Sequence, residues 1–284
     1  MREANFGGQT VDFEIEKESI IQRRNRPALR VKEDTADLIF TDIVESEVWK
    51  KRLEDAKPLL DKAILAVGRV DLINSSSFSW VGTGWLLDEE IIVTNRHVAN
   101  LFVTDKKGEF QFEQNGSMLV EPQVDFVREF DNERENTFKL LEPIYVVPKP
   151  GPDIALFRIA QTGSNGNLPE KISLANKPSP TVGAATIGYP AYDSRIPDAE
   201  LMRKIYGTEY DKKRLAPGAI TRVSSSELTH DCTTLGGNSG SVIIDMNRSG
   251  ENRPVAVGLH FAGAFLKTNY AVPSNLLALS LIHI

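Results

Sequence analysis

The sequence has one cysteine, Cys232, in 284 residues. No internal disulfide can form, so a disulfide-stapled scaffold is excluded. Histidine is nearly as scarce, with His97, His230, His260 and His283. None lies at metal-ligand spacing from another, and one thiol cannot build a thiolate site. Neither a zinc site nor any cofactor is therefore expected. The phosphate-loop pattern Gly-x-x-x-x-Gly-Lys-Ser/Thr does not occur. No apolar run reaches the roughly 18 residues of a membrane span. Positive charge is not in excess: 33 Lys and Arg against 39 Asp and Glu leave a formal net charge of −6. That balance argues against a nucleic-acid binder, which normally carries a basic patch. The stretch Met1–Ile20 has neither the apolar core nor the small-residue cleavage site of a secretory leader. With a lone thiol, a reducing cytoplasm is the expected compartment.

What remains has ordinary globular proportions, 41% hydrophobic and 25% charged. The charge is unevenly spread. Of the first 62 residues 26 are charged, against 46 of the remaining 222. Residues 1–62 therefore read as a charged, partly helical extension, and residues 63–284 as the main domain. Within the extension, Val48, Trp49, Leu53, Ala56, Leu60, Ala63 and Val67 recur at three- and four-residue steps. This spacing predicts a helix over 46–66 with a single apolar stripe. Pro58 interrupts the pattern and should kink or split it. The stripe needs a surface to cover, and the following domain is the obvious one. Arg23, Arg24, Arg26 and Arg30 form a small basic cluster that reads as a solvated face.

From about Ala63 the pattern changes to short apolar runs. They lie at 64–73, 80–87, 91–94, 118–127, 144–147, 154–159, 184–187, 219–223, 242–244, 254–261 and 270–272. Turn-forming clusters such as Asn74-Ser75-Ser76-Ser77 and Lys149-Pro150-Gly151-Pro152 separate them. Many short strands without long helices between them predict an all-β barrel or sandwich. Residues 275–284 read as a short closing helix, and no fixed-period repeat is present.

Three segments carry candidate chemistry. The first is Gly82-Thr83-Gly84, followed by Thr94-Asn95-Arg96-His97, which places a histidine just past a buried strand. The second, Asp153-Ile154-Ala155-Leu156, puts a carboxylate immediately before a strand. The third, Gly236-Gly237-Asn238-Ser239-Gly240-Ser241, holds a serine in a glycine-rich turn. Each alone has a bland reading, as a structural His, a turn Asp and a tight turn. Together they match one chemistry. A nucleophilic serine needs a base, and the base needs a carboxylate to fix its tautomer. The glycines let two backbone N–H groups converge where an oxyanion forms.

The chain resembles the trypsin-like (chymotrypsin-fold) serine proteases of bacterial type over roughly residues 63–284. The resemblance rests on these motifs and on their His, Asp, Ser order. It implies two six-stranded antiparallel β-barrels, with His97 as general base, Asp153 orienting it and Ser239 as nucleophile. It also implies an oxyanion hole from the N–H groups of Gly237 and Ser239. Two departures stand out. Asn238 occupies the position where animal relatives carry the Asp that pairs with a freed N-terminus, so a domain competent as translated is expected. The disulfides of those relatives are also missing.

In this family the pocket walls would come from Thr233, Thr234 and Leu235, and from the strand carrying His260, Phe261, Ala262 and Gly263. No carboxylate stands at the pocket base, which disfavours Lys or Arg specificity. His260 with Thr234 resembles the pair that reads an acidic side chain in glutamyl endopeptidases. The alternative is a histidine packed behind the barrel wall. Phe261 and Gly263 would offer backbone partners to an extended substrate. An α/β-hydrolase is disfavoured, because Gly237-Asn238-Ser239-Gly240-Ser241 lacks the closing glycine and the triad order differs. An inactive protease-fold module that binds peptides is the other rival, and no triad member is missing to favour it. The expected partner is a protein or peptide substrate. The extension is a candidate docking surface for an effector or regulator, or else a structural brace.

Overall fold

The computed structural model describes residues 27–40, 46–194, 196, 198–248 and 252–283. Arg23, Arg24 and Arg26 of the basic cluster, and the side chains of Val48 and His283, lie outside the described residues. Arg30 is described: it pairs with Glu209 at 3.1 Å and lies over the Phe130 ring.

Twelve strands form two closed barrels. In pairing order the first runs Glu121–Asp125, Thr137–Val146, Ala155–Ile159, Ile91–Thr94, Trp80–Asp88 and Val67–Ile73. It closes where Val124 faces Val70. The second runs Thr181–Gly188, Val242–Asp245, Val255–Ala264, Thr268–Pro273, Leu228–His230 and Arg214–Val223. It closes where Ile187 faces Leu215. Every barrel pairing is antiparallel, as in the chymotrypsin-like fold. Closure removes the exposed sheet edges that an open sheet leaves for aggregation. Short-range alternation is lost where a strand is covered on both faces. In Trp80–Asp88, every residue up to Leu87 is buried. One apolar core runs through both barrels, including Trp85, Ile92 and Phe157 in the first and Ile187, Val242 and Leu259 in the second.

The extension is built onto this frame. Ser46–Leu65 is one helix with Pro58 inside it. The expected split does not occur. Pro58 removes one helical hydrogen bond, but burial holds the helix on both sides of it. Trp49, Leu53 and Ala56 before the proline, and Leu59, Leu60, Ala63 and Ile64 after it, are all buried in the main core. Burying one such leucine contributes roughly 1.5–3 kcal/mol. The helix touches Val67–Ile73 of the first barrel and Thr181–Gly188 of the second. Upstream, Leu29–Lys32 adds a strand to the second barrel, with Leu29 opposite Leu215. Its alternation is clear once seen, with Leu29 and Val31 buried and Arg30 exposed.

Lys213 locks these parts together from inside. Its side chain is fully buried, and its Nζ donates to the carbonyls of Ile64 (2.9 Å) and Phe126 (2.6 Å) and to Glu129 Oε1 (3.3 Å). Burial pulls the ammonium pKa down, with the Glu129 carboxylate opposing that pull. Glu129 also accepts the Asp34 N–H at 2.9 Å, which ties the N-terminal hairpin to the same pair. Among the described residues, no helix is long and apolar enough to cross a membrane.

Candidate active site

The three motifs meet where the barrels abut. His97 sits on the one-turn helix Arg96–Ala99, just after the buried strand Ile91–Thr94. Its neighbours position the carboxylate. Arg96 Nη1 lies 2.9–3.0 Å from the carbonyls of Val147, Gly151 and Pro152. Asn95 Nδ2 donates to the Asp153 carbonyl at 3.0 Å. The Thr94-Asn95-Arg96-His97 run thus carries His97 and also holds the loop that delivers Asp153.

Asp153 Oδ1 accepts the His97 backbone N–H at 3.0 Å, and Oδ2 lies 2.6 Å from His97 Nδ1. On the other side of the ring, His97 Nε2 is 2.8 Å from Ser239 Oγ. Burial pushes the Asp153 carboxyl up, but the hydrogen bonds and charge of His97 outweigh it, so its pKa falls below the ordinary carboxylate value. The acid is therefore ionised at neutral pH, as an orienting group must be.

Ser239 lies in a turn that only glycine could build at two places. Gly237 and Gly240 have φ of +86° and +88°, where side chains are strained. A Cβ on Gly237 would come within 2.5 Å of both Trp80 and the Tyr189 carbonyl, and one on Gly240 within 1.9 Å of the Thr83 carbonyl. The Gly236 carbonyl accepts the Ala191 N–H at 2.5 Å. In a trans peptide the N–H points opposite to the carbonyl, so the Gly237 N–H faces away from Ala191. Asn238 closes its own turn: Nδ2 donates to the Leu235 carbonyl at 3.2 Å, and Oδ1 accepts from Ser241 Oγ at 3.2 Å.

Thr83 reaches this turn from the first barrel. Its N–H donates to the Ser239 carbonyl at 2.9 Å. Its Oγ1 donates to the Gly237 carbonyl at 2.9 Å and accepts the Tyr189 N–H at 3.1 Å. Its own carbonyl accepts from Thr94 Oγ1 at 2.7 Å. Gly82 beside it leaves room, since a Cβ there would be 3.0 Å from the Ser239 carbonyl.

The expected pocket residues are mostly enclosed. Thr233, Thr234 and His260 are buried, and Phe261 is half-buried. Gly263 pairs with Asn269 across the strands. His260 has a partner that sequence reasoning missed: His230 Nε2 is 3.0 Å from His260 Nδ1, with the rings at 78°. Burial takes the His230 pKa down to about 3. Burial, then the neighbouring His230 and His97, holds His260 well below the ordinary imidazole value. Two histidines 30 positions apart in the sequence thus form a buried pair. Among the described residues, no group of three or more His, Cys, Asp or Glu could hold a metal ion.

Residues 82–256 match the trypsin-like peptidase domain. The chain belongs to the trypsin-like peptidase family. It is 31% identical over 255 residues to a probable serine protease of Lysobacter enzymogenes, covering 80% of this chain and 64% of that one. A glutamyl endopeptidase of Staphylococcus epidermidis is 26% identical over 201 residues, covering 68% of this chain and 58% of the relative. The chain thus spans less than two thirds of the length of these relatives. A solved Glu endopeptidase shares the fold with a TM-score of 0.53 and 17% identity, over 93% of this chain and 97% of that one. This trypsin-like peptidase domain and its motifs coincide: the match opens at the Gly82-Thr83-Gly84 motif and takes in His97, Asp153 and Ser239.

Proposed function

We propose that the chain is a serine endopeptidase that cleaves peptide bonds through an acyl-enzyme. The observation that carries this reading is the unbroken Asp153–His97–Ser239 line, with contacts of 2.6 and 2.8 Å. Ser239 Oγ bonds to the scissile carbonyl carbon while His97 Nε2 takes its proton. Asp153 holds the Nδ1–H and stabilises the imidazolium. The N–H groups of Gly237 and Ser239 receive the oxyanion. His97 then gives the proton to the departing amine as the C–N bond breaks. Water repeats the sequence to release the acid. Asn238 bonds within its own turn, which supports a site that needs no pairing with a freed N-terminus.

We propose as substrate a protein or peptide with an acidic residue on the acyl side of the cleaved bond. The name of the Staphylococcus epidermidis relative and the presence of Thr234 and His260 beside the nucleophile turn support it. The chemistry differs from a fixed imidazolium. His260 is neutral at pH 7 in the free enzyme, because burial disfavours its charged form. An entering carboxylate favours the imidazolium, so binding brings a proton with it. The test is hydrolysis of a fluorogenic peptide series varied at that residue. Best cleavage after Glu supports the proposal, and best cleavage after small apolar residues contradicts it.

A further inference from the structure

Thr83 carries three hydrogen bonds to the second barrel, and none of them is needed to hold the first barrel shut. The residue sits in the middle of the buried strand Trp80–Asp88 and is itself fully buried. Its N–H takes the carbonyl of the nucleophile, Ser239. Its hydroxyl gives its one proton to the Gly237 carbonyl and uses a lone pair to accept from the Tyr189 N–H. A hydroxyl has one donor proton and two acceptor lone pairs, so a single side chain satisfies a carbonyl and an N–H at once. Gly237 and its close neighbour Tyr189 are both tied to Thr83 in this way. The Gly237 carbonyl belongs to the Gly237–Asn238 peptide, which lies between the two peptides whose N–H groups would meet the oxyanion. The Tyr189 carbonyl presses on the other side of Gly237, 2.5 Å from where its Cβ would be.

We propose that Thr83 is a positioning residue for the oxyanion hole: an inter-barrel latch that sets the orientation of the Gly237 and Ser239 peptides. It touches neither substrate nor His97. The proposal rests on the serine-peptidase reading above and adds a reason for the threonine between Gly82 and Gly84. The two glycines allow the barrels to approach, and the hydroxyl fixes the angle at which the turn presents its N–H groups. Oxyanion stabilisation is sensitive to such geometry, since the donors must be aimed at the position the charge will occupy.

The test uses a fluorophosphonate, whose reaction needs no knowledge of the natural substrate. Ser239 Oγ bonds to phosphorus, the serine proton passes to His97, and fluoride leaves. The phosphoryl oxygen takes the place of the oxyanion. The second-order labelling rate is measured for the wild type, Thr83→Val and Thr83→Ser, each folded by its melting curve, over a range of pH. Losing one direct oxyanion donor typically costs 10²–10³-fold, and a misaimed donor should cost at least about tenfold. Thr83→Val should therefore label at least about tenfold more slowly, with the pH midpoint of the rate unmoved. Thr83→Ser, which keeps the hydroxyl, should stay within about threefold. If Thr83→Val does not fold, Thr83→Ala takes its place under the same criterion. A hydroxyl-free variant that labels like the wild type overturns the latch and leaves the peptidase reading standing. So does a Thr83→Ser variant as slow as Thr83→Val, because the role would then be steric. A wild-type protein that takes up no fluorophosphonate overturns both.

Discussion

Asp153 grips His97 at two points, accepting the backbone N–H at 3.0 Å with one oxygen and facing Nδ1 at 2.6 Å with the other. The first contact fixes where the histidine backbone lies. The second fixes the ring. Together they leave Nε2 aimed at Ser239, which is the arrangement a general base requires.

Asp153→Asn keeps the size of the side chain but presents an amide to Nδ1 and so favours the wrong tautomer. Peptide turnover should fall about 10⁴-fold, as loss of the carboxylate does in such triads. The stability effect has a definite sign. Because the folded-state pKa is lowered, the carboxylate stabilises the fold above its ordinary titration near 3.8 and loses that contribution as pH falls through the lower folded value. Urea melts should show the Asp153→Asn penalty at pH 7 shrinking toward pH 3. A penalty independent of pH would contradict the ion pair.

The His230–His260 pair should weaken the fold in mild acid. Both folded-state pKa values are depressed, so the unfolded chain binds protons that the native state refuses. Stability is then fully present above the ordinary imidazole pKa of 6.5 and is lost as pH falls below it. Each buried histidine can contribute a slope of up to about 1.4 kcal/mol per pH unit. Denaturant unfolding of the wild type and His230→Gln between pH 7 and pH 5 measures this. The substitution should flatten the dependence, and parallel curves would count against it.

Those two histidines also show where the sequence was silent. His97, Asp153 and Ser239 were legible because each carries its own local motif beside a strand. His230 has no such flag. Its strand, Leu228–His230, is three residues long, and its contact with His260 spans 30 positions. Other strands were read short for a related reason. Thr137–Val146 shows polar Lys139 and Glu142 with Pro143, and only its end looked apolar. Arg214–Val223 begins at an arginine that resembles loop sequence but is buried, with Nη1 donating to the Ala28 carbonyl at 3.0 Å. Leu29–Lys32 was hidden by the charge around it. The recurring turn-bounded apolar runs made an all-β barrel or sandwich legible, and the choice of two barrels came from the family resemblance.

The helix Ser46–Leu65 should be a brace. Leu53, buried in the main core, should cost about 2–5 kcal/mol when changed to alanine. Lys51 on the opposite face has a side chain 77% exposed, and Lys51→Ala should stay within about 0.5 kcal/mol. Calorimetric melting separates the two. Equal, small shifts would make the helix a tail laid on the surface.

Acidic specificity carries its own pH signature. If a carboxylate brings a proton to His260, the preference for Glu over Gln should fall as pH rises. His260→Ala should then lower kcat/KM for Glu peptides more than for Gln peptides. Equal losses on both would reduce His260 to a packed wall residue.

Mass spectrometry of the fluorophosphonate-treated protein, read beside peptide turnover, tests most directly whether Ser239 is the nucleophile and His97 its base. One adduct is expected, on the fragment containing Ser239. It should vanish in Ser239→Ala and be strongly slowed in His97→Ala, with turnover down about 10⁴-fold or more in both. An adduct on another residue, or a Ser239→Ala protein that retains more than about a thousandth of wild-type turnover, would contradict it.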